Sequence, residues 1–174
     1  MKIAVLNDTH CGIRNSSEVF LDNAEKFYDE VFFPECEKQD IKQILHLGDY
    51  YDHRKFVNFK ALNHNRRIFL DQLRKRGMSM DIIPGNHDTY YKNTNELNSL
   101  KECLGHYMNE VNIIMEPKVM KYGSLNIGLV PWICNDNYEQ CMNFIKDCKA
   151  DWIGAHLELK GFEMMRGLTN THGM

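Results

Sequence analysis

The stretch IIPGNHDTYY (residues 82–91) ends an apolar run in Pro-Gly and then presents an amide, an imidazole and a carboxylate in succession. Pro-Gly and Asn are ordinary turn formers, so a plain polar turn is one reading. The other is a buried strand that delivers polar groups to a single point. The rest of the chain decides between them, because two further runs close the same way. KIAVLND (2–8) leads into Asp8-Thr9-His10, and IKQILHLGDYY (41–51) leads through Gly48-Asp49.

The chain has 174 residues, 43% of them hydrophobic and 11% aromatic, enough for the core of one compact domain. Its net charge is -3, so no overall basic field marks it for nucleic acid, and an anionic partner has to be held locally. No apolar run approaches the ~18 residues of a membrane span. The six cysteines form no C-x-x-C pair and the N-terminal apolar run is too short for a signal peptide, which points to a reducing, cytoplasmic compartment. Cys134, Cys141 and Cys148 recur every seven residues on what reads as one helix face, as small buried hydrophobes rather than ligands.

Periodicity gives alternating strands and helices. The first strand, KIAVLND, reads as buried on both faces. Asn15 with Glu18 resembles a capping box opening a helix through Phe20, Ala24, Phe27 and Val31, which Pro34 should break or kink. A second helix is expected over 58–76, ending at Gly77, and a short one over 94–104. VNIIM reads as a strand, VMKYGSLNIGLVPW as a hairpin turning at Gly123-Ser124, residues 136–148 as a helix and DWIGAH as a last strand. The alternation predicts an α/β domain: a layered sandwich with a mixed, largely parallel sheet flanked by helices.

In open α/β sheets, ligands collect outside the carboxyl ends of the parallel strands. Asp8 and His10, Gly48 and Asp49, Gly85 to Asp88, and His156 after the last strand are therefore expected to converge. Taken singly, each has a bland explanation as a cap, a turn or a core histidine. Three ordered motifs at three strand ends do not.

Asp8-x-His10, Gly48-Asp49-x-x-Asp52, Gly85-Asn86-His87-Asp88 and His156 together resemble the calcineurin-like metallophosphoesterase signature. Within that superfamily, GDYYDHRK, PGNHD, LVPWIC and GAHLELKGF are similar to the nuclease subunit of the SbcCD and meiotic-recombination nuclease family, especially its T-even phage members. The resemblance implies two divalent ions, manganese foremost. Asp8 and His10 would hold one, Asn86 and His156 the second, and Asp49 would bridge both. Paired ions ~3.5–4 Å apart clamp a phosphoryl group, activate water and stabilise the leaving oxygen. His87 would contact the phosphate and protonate the leaving group, with Asp52 as the partner that orients it. Asp88 would support the loop. The resemblance further implies DNA as substrate, an SbcC/Rad-type ATPase as partner, and a homodimer formed by helices flanking the third strand.

Beside the metal loop, His53, Arg54 and Lys55 are placed to meet DNA phosphates. Tyr90 and Tyr91 either stack on an unpaired base or pack beneath their loop. Arg66, Arg67, Arg74, Lys75 and Arg76 read as an ordinary solvated helix face. Protein serine/threonine phosphatases share the metal plan but carry Asp-Arg-Gly and Gly-Asn-His-Glu, where this chain has Asp52-His53-Arg54 and Asp88. The family's later Gly-His-x-His motif is not found, and His172 near the end is not part of one. Residues 1–174 are thus expected to be the N-terminal portion of the nuclease domain, without the second half of its fold or the capping region. A small-molecule phosphoesterase and a non-catalytic module are the alternatives.

Overall fold

The computed structural model describes residues 1–171 and 173; His172 lies outside the described residues. Four short strands, β1 (Ile3–Leu6), β2 (Gln43–His46), β3 (Ser79–Ile82) and β4 (Val111–Ile113), pair in parallel in the order β1-β2-β3-β4. The register aligns Leu6 with His46 and His46 with Ile82, so the loops after all three strands leave the sheet at one edge. That alignment is what brings residues far apart in sequence together.

A second sheet holds β5 (Lys118–Tyr122), β6 (Leu125–Val130) and β7 (Trp152–Ala155). The expected hairpin joins β5 to β6 across Gly123-Ser124, and β7 runs parallel to β6. A small hairpin, β8 (Glu163–Met165) and β9 (Leu168–Thr169), follows. The expected largely parallel arrangement is therefore divided between two sheets. Strand alternation joins them. Ile44, Met80 and Ile82 pack under the helices, whereas Leu45 packs with Ile83, Tyr122, Ile127 and Leu129 between the sheets.

Asp81 occupies the same inner face. Its buried carboxylate accepts hydrogen bonds from Gln43 Nε2 (2.8 Å), Asn112 Nδ2 (2.6 Å) and the Tyr122 hydroxyl of β5 (2.8 Å). A buried carboxylate is tolerated only when its oxygens are met in this way.

β1 departs from the expectation of burial on both faces. It is an edge strand, and the second sheet reaches Ile3 but leaves Val5 54% exposed. The helix after it begins at Glu18, but no capping box forms: Asn15 lies in a left-handed turn with Arg14 and Ser16, and Ser17 caps without a side-chain hydrogen bond. Pro34 does not end this helix, which runs Glu18–Lys26, Phe27–Phe32 and Phe33–Lys38 without a break. The middle segment is a wide π-type turn just upstream of Pro34, where a missing N–H and a bulky ring are accommodated.

The second helical stretch, Phe59–Asn65, Arg66–Leu70 and Asp71–Arg76, matches the expected span and stops at Gly77, whose φ of 58° needs no Cβ. Its Phe69 packs against Tyr28 and Phe33 of the first. The third helix is shorter than expected, Ser99–Leu104. The Asn98 side chain caps it by accepting from Lys101 N–H (3.0 Å), while the Asn95 amide donates to the Trp132 carbonyl (2.6 Å). These asparagines bond to backbone groups and hold 94–98 outside the helix. The fourth helix spans Tyr138–Asp147.

All six cysteines are free thiols, and Cys36, Cys134 and Cys141 are buried. Among the described residues no helix is long and apolar enough to cross a membrane.

Candidate metal centre

Beyond the strands, the loops continue the ladder. Asp8 N–H donates to the Gly48 carbonyl (3.0 Å), His10 to Asp49 (3.0 Å) and Cys11 to Tyr50 (2.8 Å). Asp8, His10 and Asp49 have φ of 51°, 42° and 53°, a left-handed conformation that costs a non-glycine residue roughly 1–3 kcal/mol. Three such residues in adjoining loops turn their side chains to one side of the sheet edge.

The glycines explain why the loops meet so closely. A Cβ on Gly85 would stand 2.2 Å from Asp49 Oδ1 and 2.3 Å from the Asp49 backbone nitrogen. On Gly48 it would stand 2.7 Å from the Gly85 nitrogen and 2.9 Å from His156 Nδ1. The Gly-Asp and Gly-Asn-His-Asp motifs therefore interlock backbone to backbone.

Asp49 is 3% exposed and lies at the centre. Its Oδ1 accepts from His87 N–H (2.8 Å), and its Oδ2 faces two imidazoles, His10 Nε2 at 3.7 Å and His156 Nε2 at 3.5 Å. His10 Nε2 is also 3.6 Å from Asp8 Oδ1. Two sets of side chains bring ligand atoms within 4.8 Å of one another: Asp8, Asp49 and His156, and His10, Asp49 and His87.

Donor chemistry tests whether these groups suit a cation. His156 Nδ1 lies 2.9 Å from the Leu47 carbonyl, which can only accept, so this nitrogen carries hydrogen. In the neutral ring, Nε2 then offers a lone pair, yet it lies 2.9 Å from Asn86 Oδ1 and close to Asp49 Oδ2. Acceptors pointed at one another are held together well by a cation among them. Oxygen and imidazole donors without thiolate suit borderline divalent ions such as manganese, iron or zinc. The donor set therefore fits a divalent cation.

Asp52 is arranged differently from the sequence expectation. The atom that reaches His87 is the Asp52 backbone carbonyl, 2.5 Å from Nδ1, whereas the Asp52 carboxylate faces His10 Nδ1 and His53 Nε2, each at 3.4 Å. His10 and His87 pack edge to face, ring centroids 5.0 Å apart. His53, Arg54 and Lys55 follow Asp52 and line a neighbouring groove. Arg54 Nη1 reaches the carbonyl and hydroxyl oxygens of Thr89 at 3.4 Å, and His53 stacks on Phe56.

Asp88 is fully buried beneath the loops and accepts from the N–H groups of Tyr50 (3.0 Å), Tyr51 (3.1 Å) and Gly85 (2.9 Å). Burial raises its pKa to about 6 against the opposing pull of those bonds.

His46, to which the sequence reading gave no role, is the other support. Gly48 N–H donates to its Nδ1 (3.2 Å), so Nε2 carries the hydrogen and donates to Thr9 Oγ1 (3.0 Å). Complete burial pushes its pKa down to about 3 and keeps it neutral. A histidine inside an apolar strand, two residues before Gly-Asp, was the available signal. Three arginines of the second helix are engaged elsewhere: Arg67 pairs with Glu25 (2.6 Å), Arg74 with Glu110 (2.7 Å) and Arg76 with Glu37 (2.9 Å).

A parallel sheet whose carboxyl edge gathers carboxylates, imidazoles and an amide defines a metallophosphoesterase. Residues 1–169 match the calcineurin-like phosphoesterases, and the chain belongs to that family. It is 30% identical over 178 aligned residues to a protein of Enterobacteria phage T4 named Exonuclease subunit 1, covering the whole chain and 50% of that protein. The chain thus spans about half the length of this curated relative. A protein of unknown function, AQ665 from Aquifex aeolicus, shares the fold at 18% identity and a TM-score of 0.51, over 87% of this chain and 75% of its own. The Pseudomonas putida nuclease MPE aligns at 17% identity and a TM-score of 0.44, over 74% of this chain and 52% of its own.

Proposed function

We propose that this chain is the N-terminal portion of a metal-dependent DNA nuclease that hydrolyses phosphodiesters with two divalent ions, manganese foremost. The observation that carries this is Asp49, a buried carboxylate facing imidazoles from two different sheets. By the resemblance, it would be shared between one ion held by Asp8 and His10 and a second held by Asn86 and His156. When bound, the ions supply the positive charge that clamps the phosphoryl group and activates water.

The chain's own groups do the rest. His87 is fixed by its backbone bond to Asp49 and by Nδ1–H donating to the Asp52 carbonyl. The imidazolium form of the ring thus holds a second proton on Nε2, gives it to the leaving oxygen and is left as the neutral ring. The Asp52 carboxylate acts through His10, whose ring it orients. His53, Arg54 and Lys55 hold flanking phosphates. DNA is what the sequence resemblance implies; the phage relative's printed name, an exonuclease subunit, supports a nucleic acid as the substrate and membership of a multi-subunit enzyme. By resemblance, its counterparts are an SbcC/Rad-type ATPase and a second copy docked through the helices on either side of β3.

The test is His87→Ala in the full-length protein. Manganese binding by calorimetry should persist while DNA cleavage falls about 10²–10⁴-fold. Normal cleavage would remove His87 from the proton transfer. Rapid turnover of an aryl phosphate with DNA left intact would make the protein a small-molecule phosphoesterase instead.

A further inference from the structure

Past the metal loop, the chain runs into a groove of about 270 Å³ between the segment His53–Val57 and the loop carrying Tyr90 and Leu97. Its walls combine aromatic faces with cations. The His53 ring stacks on Phe56 with centroids 4.4 Å and planes 24° apart, and Lys55 Nζ lies 5.9 Å from the centroid of Tyr90. Phe56 is 57% exposed and Tyr90 36%, so neither ring is packed beneath its loop. The Tyr90 wall is nonetheless fixed: its N–H donates to the Leu97 carbonyl (2.9 Å), and Thr89 bridges to Asn98.

The groove neighbours the metal centre through Asp52, which precedes its first lining residue, His53. Asp52 gives its carbonyl to His87 and its carboxylate to His10 and His53, so one residue separates the centre from the groove wall. Among the described residues Arg54 bonds through Nη1 alone, and at 3.4 Å, which leaves its remaining donors for a phosphate. Glu102 lies on the same groove and repels a polyanion that would run along it. Charge thus favours a phosphate chain on the metal side and an uncharged, flat group inside.

We propose that this groove takes an unpaired nucleobase next to the scissile phosphate, stacked on Phe56 or Tyr90 while Arg54 and Lys55 hold its phosphate. The proposal rests on the DNA reading above. Paired bases offer no free π-face, so the groove selects single strands or frayed ends over intact duplex. Stacking on one aromatic is worth ~1–3 kcal/mol per base, which is about 5- to 150-fold in affinity.

The experiment measures binding of a short oligothymidylate and of a blunt duplex to the full-length protein, without added divalent ions. Phe56→Ala and Tyr90→Ala should each weaken single-strand binding about 5- to 150-fold and duplex binding far less, and Tyr90→Phe, which keeps the ring, should retain it. Unchanged single-strand binding, or equal loss on both DNAs, overturns the proposal. So does a loss that accompanies dissociation of a dimer in sedimentation, which would make the groove a contact between copies. Wild-type protein that hydrolyses bis-p-nitrophenyl phosphate but binds neither DNA would sink the DNA reading itself.

Discussion

The two sheets contribute unequally to the metal centre. Asp8, His10, Asp49 and Asn86 follow strands of the parallel sheet, where register alone brings their loops to one edge. His156 follows β7 of the second sheet, which leaves Trp152 69% exposed. Its sheet is tied to the first by His156 Nδ1 to the Leu47 carbonyl, the Tyr122 hydroxyl to Asp81, Trp132 after β6 to the Pro84 carbonyl and the Asn95 amide, and the apolar cluster around Leu45 and Leu129. Side chains within one sheet are positioned by hydrogen-bonded geometry, whereas a ligand from another sheet is only as well placed as the packing between them.

Breaking the loop junction of the parallel sheet should have the largest effect. Gly85→Ala forces a Cβ onto the Asp49 backbone, where nothing flexible can yield. We expect a loss of about 3 kcal/mol or more in thermal unfolding, with at least about a hundredfold loss in hydrolysis of an aryl phosphodiester. Asp81→Ala attacks the tie between the sheets instead. It leaves buried donors unmet and should cost about 1–3 kcal/mol in denaturant unfolding. Manganese affinity measured by calorimetry should fall with it as His156 loses its placement; unchanged affinity would show that the second sheet is held without Asp81.

His46 sharpens the comparison through pH. Its folded pKa, about 3, lies below the ordinary 6.5, so the unfolded chain takes up the proton first. Its contribution is fully present above pH 6.5 and is lost as pH falls from there towards 3, with a slope of up to about 1.4 kcal/mol per pH unit. His46→Gln should be less stable at neutral pH but show a shallower decline in unfolding free energy over that window. The smallest effect is expected far from both sheets: Arg67→Ala removes an exposed pair with Glu25 and should leave the thermal midpoint unchanged within error.

Much of the fold was legible because it depends on local pattern. The apolar runs, Gly77 as a helix stop and Gly123-Ser124 as a hairpin turn are short-range signals. The sequence was misleading where distant partners intervened. Val5 reads as core but lies on an edge strand, and Pro34 reads as a breaker but follows a widened turn. Residues 94–98 read as helix, yet the Asn95 and Asn98 side chains bond to other backbone groups.

For the site, sequence by itself determined that carboxylates, imidazoles and an amide follow strand ends, and that glycines precede Asp49 and Asn86. Strand polarity and register turn that order into convergence. Only the tertiary structure decided that the Asp52 carbonyl, not its carboxylate, meets His87, that His46 and Asp81 brace the core, and that Phe56 and Tyr90 line one groove. Those outcomes depend on how loops some 35 residues or more apart in sequence pack together, and spacing along a chain carries no information about which atom of a residue will face its neighbour.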